Sequence, residues 1–329
     1  MLLVIVALAS FVVSCVGTRV LVTVLRRGAV LDRPNERSSH VVPTPRGGGV
    51  AVIGTTVVAW LALWGAGLVH LSAVIVAIGA GGLAIVSWLD DLRGLSPPLR
   101  LLAQFVAVAV GIVALPHGAV FQGWLPPGLD RTAAALLWVW FVNLFNFMDG
   151  IDGIAGSEAV AIVIGIVIVA GGDLDLTAPA ASIAAAALGF LVWNWAPARI
   201  FLGDVGSVPL GYLLGLLLYQ LALRGEWRAA LILPLYFLAD ATITLLRRLL
   251  RGERVWQAHR EHFYQRAVQR GLGHAAVVLR VIAANVVLIA CACAAVQGWG
   301  FGALCVAGLT VAVLLVALRR GFSSGLRAR

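Results

Sequence analysis

Long apolar runs recur along almost the whole chain and limit its fold more than any other feature. Of the 329 residues, 61% are hydrophobic and only 12% are charged, a balance that excludes a soluble domain of this size. A transmembrane helix needs roughly 17–25 consecutive apolar residues, and about eleven runs come near that length. They lie near residues 2–25, 48–66, 71–89, 99–115, 132–148, 157–171, 178–195, 207–223, 229–246, 275–296 and 299–318. We predict an all-α, polytopic membrane protein of about eleven transmembrane helices, forming one domain over residues 1–329.

Arginine is distributed unevenly between the two sets of connecting loops, and the chain has no lysine. One set holds 19 arginines and comprises residues 26–47, 90–98 (with Arg100), 196–206, 247–274 and those after 318. The opposite set holds only Arg131, Arg224 and Arg228. Because arginine-rich loops stay in the cytoplasm, we predict an N-terminus outside and a C-terminus inside the bacterial inner membrane. The net charge of +9 then fits either attraction to anionic membrane lipid or binding of a phosphorylated substrate. Nucleic acid is not expected, since the basic loops are short and close to the bilayer.

Five aspartates stand at the ends of apolar runs on the predicted cytoplasmic side: Asp90, Asp91, Asp149, Asp152 and Asp204. A carboxylate at bilayer depth costs roughly 2.5–3.5 kcal/mol, so acids retained there indicate function. Clustered carboxylates at a membrane surface favour a divalent metal and an anionic substrate. An ion-coupled transporter is the main alternative, but carriers place such acids near the bilayer midplane within repeated halves, and no repeat is visible. A non-catalytic lipid-carrier scaffold would have no need for the full acidic set.

Two acidic motifs also have a structural alternative. Asp90 and Asp91 repel each other unless a cation, a proton or an arginine lies between them, so the pair favours metal binding. Helix capping with Arg93 as the counter-ion is the alternative for this pair. Asp204 lies between two glycines at a predicted helix start, where a carboxylate caps the helix or faces a metal.

The most specific motif lies between the fifth and sixth runs. Polar residues recur there every three positions: Asn143, Asn146, Asp149 and Asp152. This spacing places them near one helix face, while Gly150 and Gly153 let the backbone open towards a ligand. Interhelical hydrogen bonds for all four would be the purely structural alternative.

Two basic loops complete the set of candidate sites. The first contains Arg37, His40 and Arg46 and continues into a glycine run, 47–49, whose exposed amides would suit a phosphate. In the late loop, two histidines three residues apart and several arginines are suited to a diphosphate rather than to zinc, because no further ligand has the required spacing. Its candidate residues are His259, His262 and Arg266. A flexible or solvated basic surface is the alternative for both loops.

Together these motifs, in this order, resemble the polyprenyl-phosphate N-acetylhexosamine-1-phosphate transferases, the MraY/WecA-like superfamily of glycosyltransferase family 4. The resemblance runs from Asp32 to Arg266, and the first loop looks most like the WbpL branch. It implies transfer of a sugar 1-phosphate from a UDP-N-acetylhexosamine to undecaprenyl phosphate, with release of UMP and with Mg²⁺ or Mn²⁺. The sugar is left open among GlcNAc, FucNAc and QuiNAc types, as are a homodimer and the choice between single and double displacement.

The resemblance also assigns roles to residues. It implies that Asp204 is the metal ligand and that Asp90, Asp91, Asp149 and Asp152 are catalytic, the last two also lining the nucleotide pocket. The implied substrate-binding residues are Asn143, Asn146, Asn194, Arg37, His40, Arg46, His259, His262 and Arg266. Relatives often carry adjacent histidines in the late loop, whereas this chain reads His259-Arg260-Glu261-His262, so the histidine that meets the diphosphate is open.

Overall fold

The structure is a computed structural model, and it describes residues 2–32, 42–116, 118–254 and 259–320. These residues form thirteen α-helices and one two-stranded antiparallel ribbon. The helices are α1 Leu2–Arg27, α2 Gly49–Gly65, α3 Leu71–Arg93, α4 Pro97–Ala114, α5 Pro127–Phe147, α6 Ile154–Ala170, α7 Leu174–Asn194, α8 Asp204–Leu223, α9 Trp227–Ile232, α10 Leu235–Leu250, α11 Phe263–Gln269, α12 His274–Ala294 and α13 Gly300–Arg320. The strands are β1 Leu31–Asp32 and β2 Thr44–Pro45, and a π-helical turn, Ala295–Trp299, joins α12 to α13. The all-α prediction is confirmed.

Six helical stretches of the described residues are long and apolar enough to cross a membrane. They are Leu3–Arg27, Leu71–Arg93, Pro97–Ala114, Leu174–Asn194, Asp204–Leu223 and the continuous stretch His274–Arg320. Two shorter apolar helices, α2 and α6, pack among them. The chain is therefore a multi-pass membrane protein.

Helix α8 forms the centre of the bundle, and almost all of its residues are buried. It packs against α2, α3, α5, α6 and α9, and it is apolar around its whole circumference, as expected of a helix enclosed by other helices. Helix α1 is the opposite case, because most of its apolar side chains, such as Val12 and Val20, are exposed. The enclosed helix carries Asp204 at its first position, so that carboxylate is held by the most buried of the six candidate membrane spans.

The ninth predicted segment, 229–246, is not one continuous helix. The chain forms the short α9, breaks at Leu233 and Pro234, and resumes as α10. Proline has no N–H to donate and its ring clashes with the preceding turn, which explains the break. The break aims the C-terminal part of the segment, with Asp240, at the late loop.

An apolar cavity of about 350 Å³ lies between α5, α8, α9 and the start of α10. Its lining includes Trp138, Phe141, Tyr219 and Trp227. Phe141 precedes the end of α5 by six residues, or roughly 9 Å of helix. Its lining also includes Gln122 and Trp124, which precede α5, so the cavity lies towards the opposite end of α5 from the polar residues that follow that helix.

Candidate active site

The first loop and the loop before α8 are joined edge to edge. Phe201 N donates to Pro45 O at 2.8 Å, and Arg46 pairs with Phe201 as an isolated parallel bridge. The amides of Gly47 and Gly48 donate back to Phe201 O at 3.1 and 2.9 Å, and that of Gly49 donates to Leu202 O at 2.9 Å. These three amides are thus already bonded to carbonyls. The prediction that they bind phosphate is wrong for this structure, and their role is to place Arg46 beside α8.

Arg46 lies between two of the predicted acidic residues. Its Nη2 is 2.5 Å from Asp204 Oδ1 and 3.2 Å from Asp91 Oδ1. Burial disfavours the charged guanidinium, but the negative charges of Asp204, Asp91 and Asp32 outweigh it and raise the pKa of Arg46. Arg46 thus comes from the first loop and lies between Asp91 and Asp204, not between the adjacent Asp90 and Asp91.

Asp90 faces a different partner from Asp91. Its Oδ1 accepts from the Leu95 amide at 2.7 Å, and its Oδ2 accepts from Arg100 Nη1 at 2.8 Å. Asp90 thus orders the turn between α3 and α4, and its counter-ion is Arg100 rather than the expected Arg93. Both oxygens are engaged by the protein, so its catalytic role stays a prediction.

The side chain of Asp204 does not cap α8. Gly203 is the N-cap residue, with φ of 74° in the left-handed region that favours glycine, and the carboxylate of Asp204 points to Arg46 instead. In the next turn of α8, Ser207 Oγ donates to Asn146 Oδ1 at 2.5 Å. This bond joins the metal-binding candidate on α8 to the polar motif that ends α5.

The turn between α5 and α6 carries Asp149 next to this cluster. Burial is the main cause that raises the pKa of Asp149 to about 7, with the charges of Asp204 and Asp152 acting in the same direction and Arg46 opposing them. Asn143, one turn of α5 before Asn146, is directed elsewhere. Its amide donates to Gln104 Oε1 on α4 at 2.6 Å. The spacing predicted that Asn143 and Asn146 converge. They do not, because Asn143 pairs with α4 across the α4–α5 contact.

Asn194 and Asp152 hold the α5–α6 turn against the loop before α8. Asn194 accepts from the Gly153 amide and donates to Ile200 O, both at 2.9 Å, and is only 5% exposed. Asp152 Oδ2 accepts from the Ala198 amide at 3.0 Å. Both residues shape the site from within the protein scaffold, and direct substrate contact stays a prediction for each.

His274, the first residue of α12, is a member of the cluster that the sequence did not indicate. Its Nδ1 lies 3.2 Å from Asp152 Oδ2, and its side chain is mostly buried. No motif spacing signals it, since it stands alone at the start of an apolar run. Only its position at a helix start on the arginine-rich side of the membrane could have made it a candidate.

The late loop docks on the same turn through α11. Tyr264 OH donates to Phe147 O at 3.1 Å, and a Cβ atom on Gly150 would collide with that hydroxyl. Gly150 is therefore needed for a close approach of the late loop rather than for an open backbone. This contact brings the histidine loop to the polar end of α5.

The two candidate histidines of this loop differ in environment. Their ring centroids are 4.8 Å apart. Burial, with the nearby charges of His262 and Arg248, lowers the pKa of His259 to about 4, so it is neutral at pH 7. His262 is almost fully buried, and its Nδ1 lies 3.2 Å from Asp240 Oδ1 on α10. Asp240 thus pairs with the late loop rather than with Arg247 on its own helix, and Arg247 lies over the Phe263 ring at 4.8 Å.

Two of the remaining basic candidates lie outside the described residues, namely Arg37 and His40. Arg266 donates to Glu261 Oε2 at 2.7 Å, and the same carboxylate oxygen accepts from Arg251 at 2.6 Å. This partly exposed triad closes the late loop on itself. Substrate contact by Arg266 would require it to exchange or share its bond to Glu261.

The donor set at Arg46 fits a hard divalent cation. Within the described ranges no group of three or more His, Cys, Asp or Glu residues forms a ready metal cage. Oxygens of Asp91 and Asp204 nevertheless converge on one point, the Nη2 atom of Arg46. Mg²⁺ is commonly bound by one or two carboxylates plus substrate phosphates, so a full protein cage is not required.

These contacts define a membrane-embedded helical bundle with an acidic, arginine-bridged site at one end. The model of glycosyl transferase family 4 matches residues 73–222, a range that includes Asp91, Asn146, Asp149 and Asp204. The chain belongs to this family, which confirms the resemblance at that level.

Relatives cover most of the chain. It is 28% identical to a probable undecaprenyl-phosphate N-acetylglucosaminyl 1-phosphate transferase of Bacillus subtilis, over 82% of this chain and 79% of that protein. It is 30% identical to the decaprenyl-phosphate N-acetylglucosaminephosphotransferase of Mycobacterium tuberculosis, over 90% of this chain and 84% of the relative. A phospho-N-acetylmuramoyl-pentapeptide-transferase of Streptococcus thermophilus is 35% identical over about half of each chain, 49% and 52%.

Proposed function

We propose that this protein transfers N-acetylhexosamine 1-phosphate from a UDP-sugar to undecaprenyl phosphate and releases UMP. The active site would face the cytoplasm at the bacterial inner membrane, and the product would begin O-antigen or a related cell-envelope polysaccharide, as the WbpL-like first loop suggests. The observation that carries this proposal is the cluster of Arg46, Asp91 and Asp204 at one end of a membrane bundle. The printed names of its relatives, polyprenyl-phosphate sugar phosphotransferases, support the same chemistry.

The reaction exchanges one phosphoanhydride for another. An oxygen of the lipid phosphate attacks the phosphorus that bears the sugar, a new P–O–P bond forms, and the bond to UMP breaks. Two anions must approach each other, so positive charge in the site has to offset their repulsion before in-line displacement. Arg46 is the described side chain placed for this, since it is partly buried, charged and paired with both Asp91 and Asp204.

A divalent cation would be held by Asp204 with Asp91, and the proposed ion is Mg²⁺ or Mn²⁺. When bound, it supplies a Lewis acid that neutralises phosphate charge. A strong protein base is not required, because the lipid phosphate is already mostly ionised at neutral pH. We therefore assign Asp90, which is bonded to Leu95 and Arg100, to positioning rather than to proton abstraction.

The membrane architecture supports a lipid acceptor. Six helical stretches of the described residues are long and apolar enough to cross a bilayer, so a membrane-held acceptor would meet a soluble nucleotide-sugar at the polar end of the bundle.

The test uses purified protein, undecaprenyl phosphate and a panel of UDP-N-acetylhexosamines that includes GlcNAc, FucNAc and QuiNAc types. We expect Mg²⁺-dependent release of UMP with one preferred sugar, and loss of the reaction on chelation. Added UMP should drive the reverse reaction, since the equilibrium between two phosphoanhydrides lies near unity. Release of UDP in place of UMP would mean glycosyl transfer and would refute the mechanism.

A further inference from the structure

Glu158 on α6 is a buried acid that the proposed reaction does not use. Its relative exposure is 0%, and that of Asn285, its partner on α12, is 2%. Asn285 Nδ2 donates to Glu158 Oε2 at 2.7 Å. The pair therefore links α6 to α12, two helices that pack against each other.

The second oxygen of each partner has no hydrogen bond. Glu158 Oε1 and Asn285 Oδ1 are both buried, and neither meets a donor among the described residues. A buried acceptor in this state costs free energy, and native proteins satisfy nearly all such atoms. One hydrogen on Oε1 would satisfy both atoms, because the O–H of a carboxylic acid donates to an amide oxygen while the amide N–H donates to the carbonyl of the acid. The two unpartnered oxygens therefore indicate a neutral acid.

The surroundings of Glu158 supply no cation in place of that hydrogen. Within the described part of the chain Glu158 belongs to no ion pair. Tyr236 on α10 lies close enough for the charge of Glu158 to act on it, but it bears no positive charge and donates its hydroxyl to Asp240. Arg280 on α12 donates to Ala276 O in its own helix. An unpaired carboxylate in an apolar interior carries a large desolvation penalty, which binding a proton removes.

The same two helices also meet at the candidate active site. Helix α6 begins at Ile154, directly after the turn that carries Asp152, and α12 begins at His274. The Nδ1 atom of His274 lies 3.2 Å from Asp152 Oδ2. Glu158 lies four residues after the start of α6, or roughly 6 Å along the helix. A shift of α12 against α6 would therefore move His274 relative to Asp152.

We propose that Glu158 is a neutral carboxylic acid that joins α6 to α12 through two hydrogen bonds with Asn285, and that it thereby positions Asp152 and His274. The part that concerns the site rests on the proposed function. Glu158 donates Oε1–H to Asn285 Oδ1 and accepts from Nδ2, so the contact brings no net charge into the apolar bundle. A buried polar contact that is fully satisfied in this way holds its two helices in one arrangement.

Infrared spectroscopy of the purified full chain at neutral pH detects the proton without any turnover. A protonated carboxylic acid has a carbonyl stretch that is separate from the bands of carboxylates and amides. The difference spectrum between the wild type and Glu158→Gln should contain this acid band, because glutamine has the same shape but no acid group. A carboxylate band in its place would mean an ionised Glu158 with a cation or water at Oε1, and would overturn the proposal even if UMP is released. The acid band in a protein that releases no UMP would uphold the neutral pair and refute the reaction.

The activities of two variants test whether the pair positions the site. Glu158→Gln offers an N–H in place of the acid O–H, so both hydrogen bonds can form and kcat/KM for the UDP-sugar should stay within about twofold of the wild type. Glu158→Met has a side chain of similar length that makes neither bond. Its kcat/KM should fall about 100-fold, the loss that a misplacement of about 1 Å can cause. Equal losses in both variants, or none in Glu158→Met, would contradict a positioning role.

Ser157→Ala is the matched control on the same turn of α6. Ser157 Oγ is also buried and without a partner among the described residues, so its removal breaks no side-chain hydrogen bond of the structure. The variant should keep the kcat/KM of the wild type and its acid band. A loss as large as that of Glu158→Met would show that any polar change at this turn disturbs the site, and would overturn the assignment to the Glu158–Asn285 pair.

Discussion

Gly49→Ala should separate two helices whose contact places Arg46. Gly49 begins α2, and a Cβ atom there would lie 2.9 Å from the carbonyl carbon of Val205 and closer still to Gly206. These are backbone atoms of the enclosed helix α8, so they cannot rotate away as a side chain would. Since carbon atoms normally approach no closer than about 3.5 Å, the helices must move apart or tilt.

The expected loss of stability follows from the crowding at this close contact. Overpacking a well-packed core costs about 1–3 kcal/mol, and a Tm change of about 2–4 °C accompanies each kcal/mol in a large domain. We therefore expect Gly49→Ala to lower Tm by several degrees. Activity should fall more steeply than Tm predicts, because the same shift pulls Arg46 away from Asp204, which is now 2.5 Å distant.

Gly54→Ala is the matched control on the same helix. A Cβ atom there meets nothing within 4 Å, and alanine is favoured over glycine in a helix by roughly 0.5–1 kcal/mol. Thermal unfolding in detergent, followed by tryptophan fluorescence, and UMP release measure both variants. Gly54→Ala should match or exceed the wild-type Tm. If Gly49→Ala behaves in the same way, the close contact between α2 and α8 does not exist and the reasoning is refuted.

Two further predictions concern the metal site and the topology. Asp204→Asn keeps the size of the side chain and leaves Arg46 paired with Asp91, so the protein should insert and purify normally. Its turnover should nevertheless fall by orders of magnitude, because the charge of the metal ligand is lost. Near-normal turnover at saturating Mg²⁺ would exclude Asp204 as the principal ligand. Arg93 and Arg254 are both exposed, so single cysteines in their place should react with an impermeant thiol reagent only after the inner membrane is breached. Labelling in intact spheroplasts would overturn the cytoplasmic assignment.

The helices could be predicted from the sequence because membrane insertion depends on local hydropathy. The break at Pro234 was missed, since the apolar run continues through it and only the flanking helices show where the two parts point. Family membership was also predictable, because the acidic motifs occupy short, contiguous stretches. The hydropathy of a helix and the residues of a short motif each depend on about twenty consecutive residues or fewer.

The partners of the polar side chains were much harder to predict. Sequence spacing grouped Asn143 with Asn146, yet Asn143 pairs with Gln104 on another helix. Asp240 likewise has partners more than twenty residues later, at His262 and Phe263, in addition to those one turn away on α10. A helical pattern gives the face on which a residue lies, but the helix that meets that face depends on the packing of the whole bundle.

The enclosure of α8 insulates the site from the bilayer. Membranes of different thickness act on a protein through its lipid-facing helices, which tilt or shift to match the hydrocarbon layer. Helix α1 exposes its apolar face and can adapt in this way, whereas α8 is surrounded by protein along almost its whole length. Asp204 therefore keeps its distance from Arg46 while the outer helices adjust, and turnover should depend little on acyl chain length.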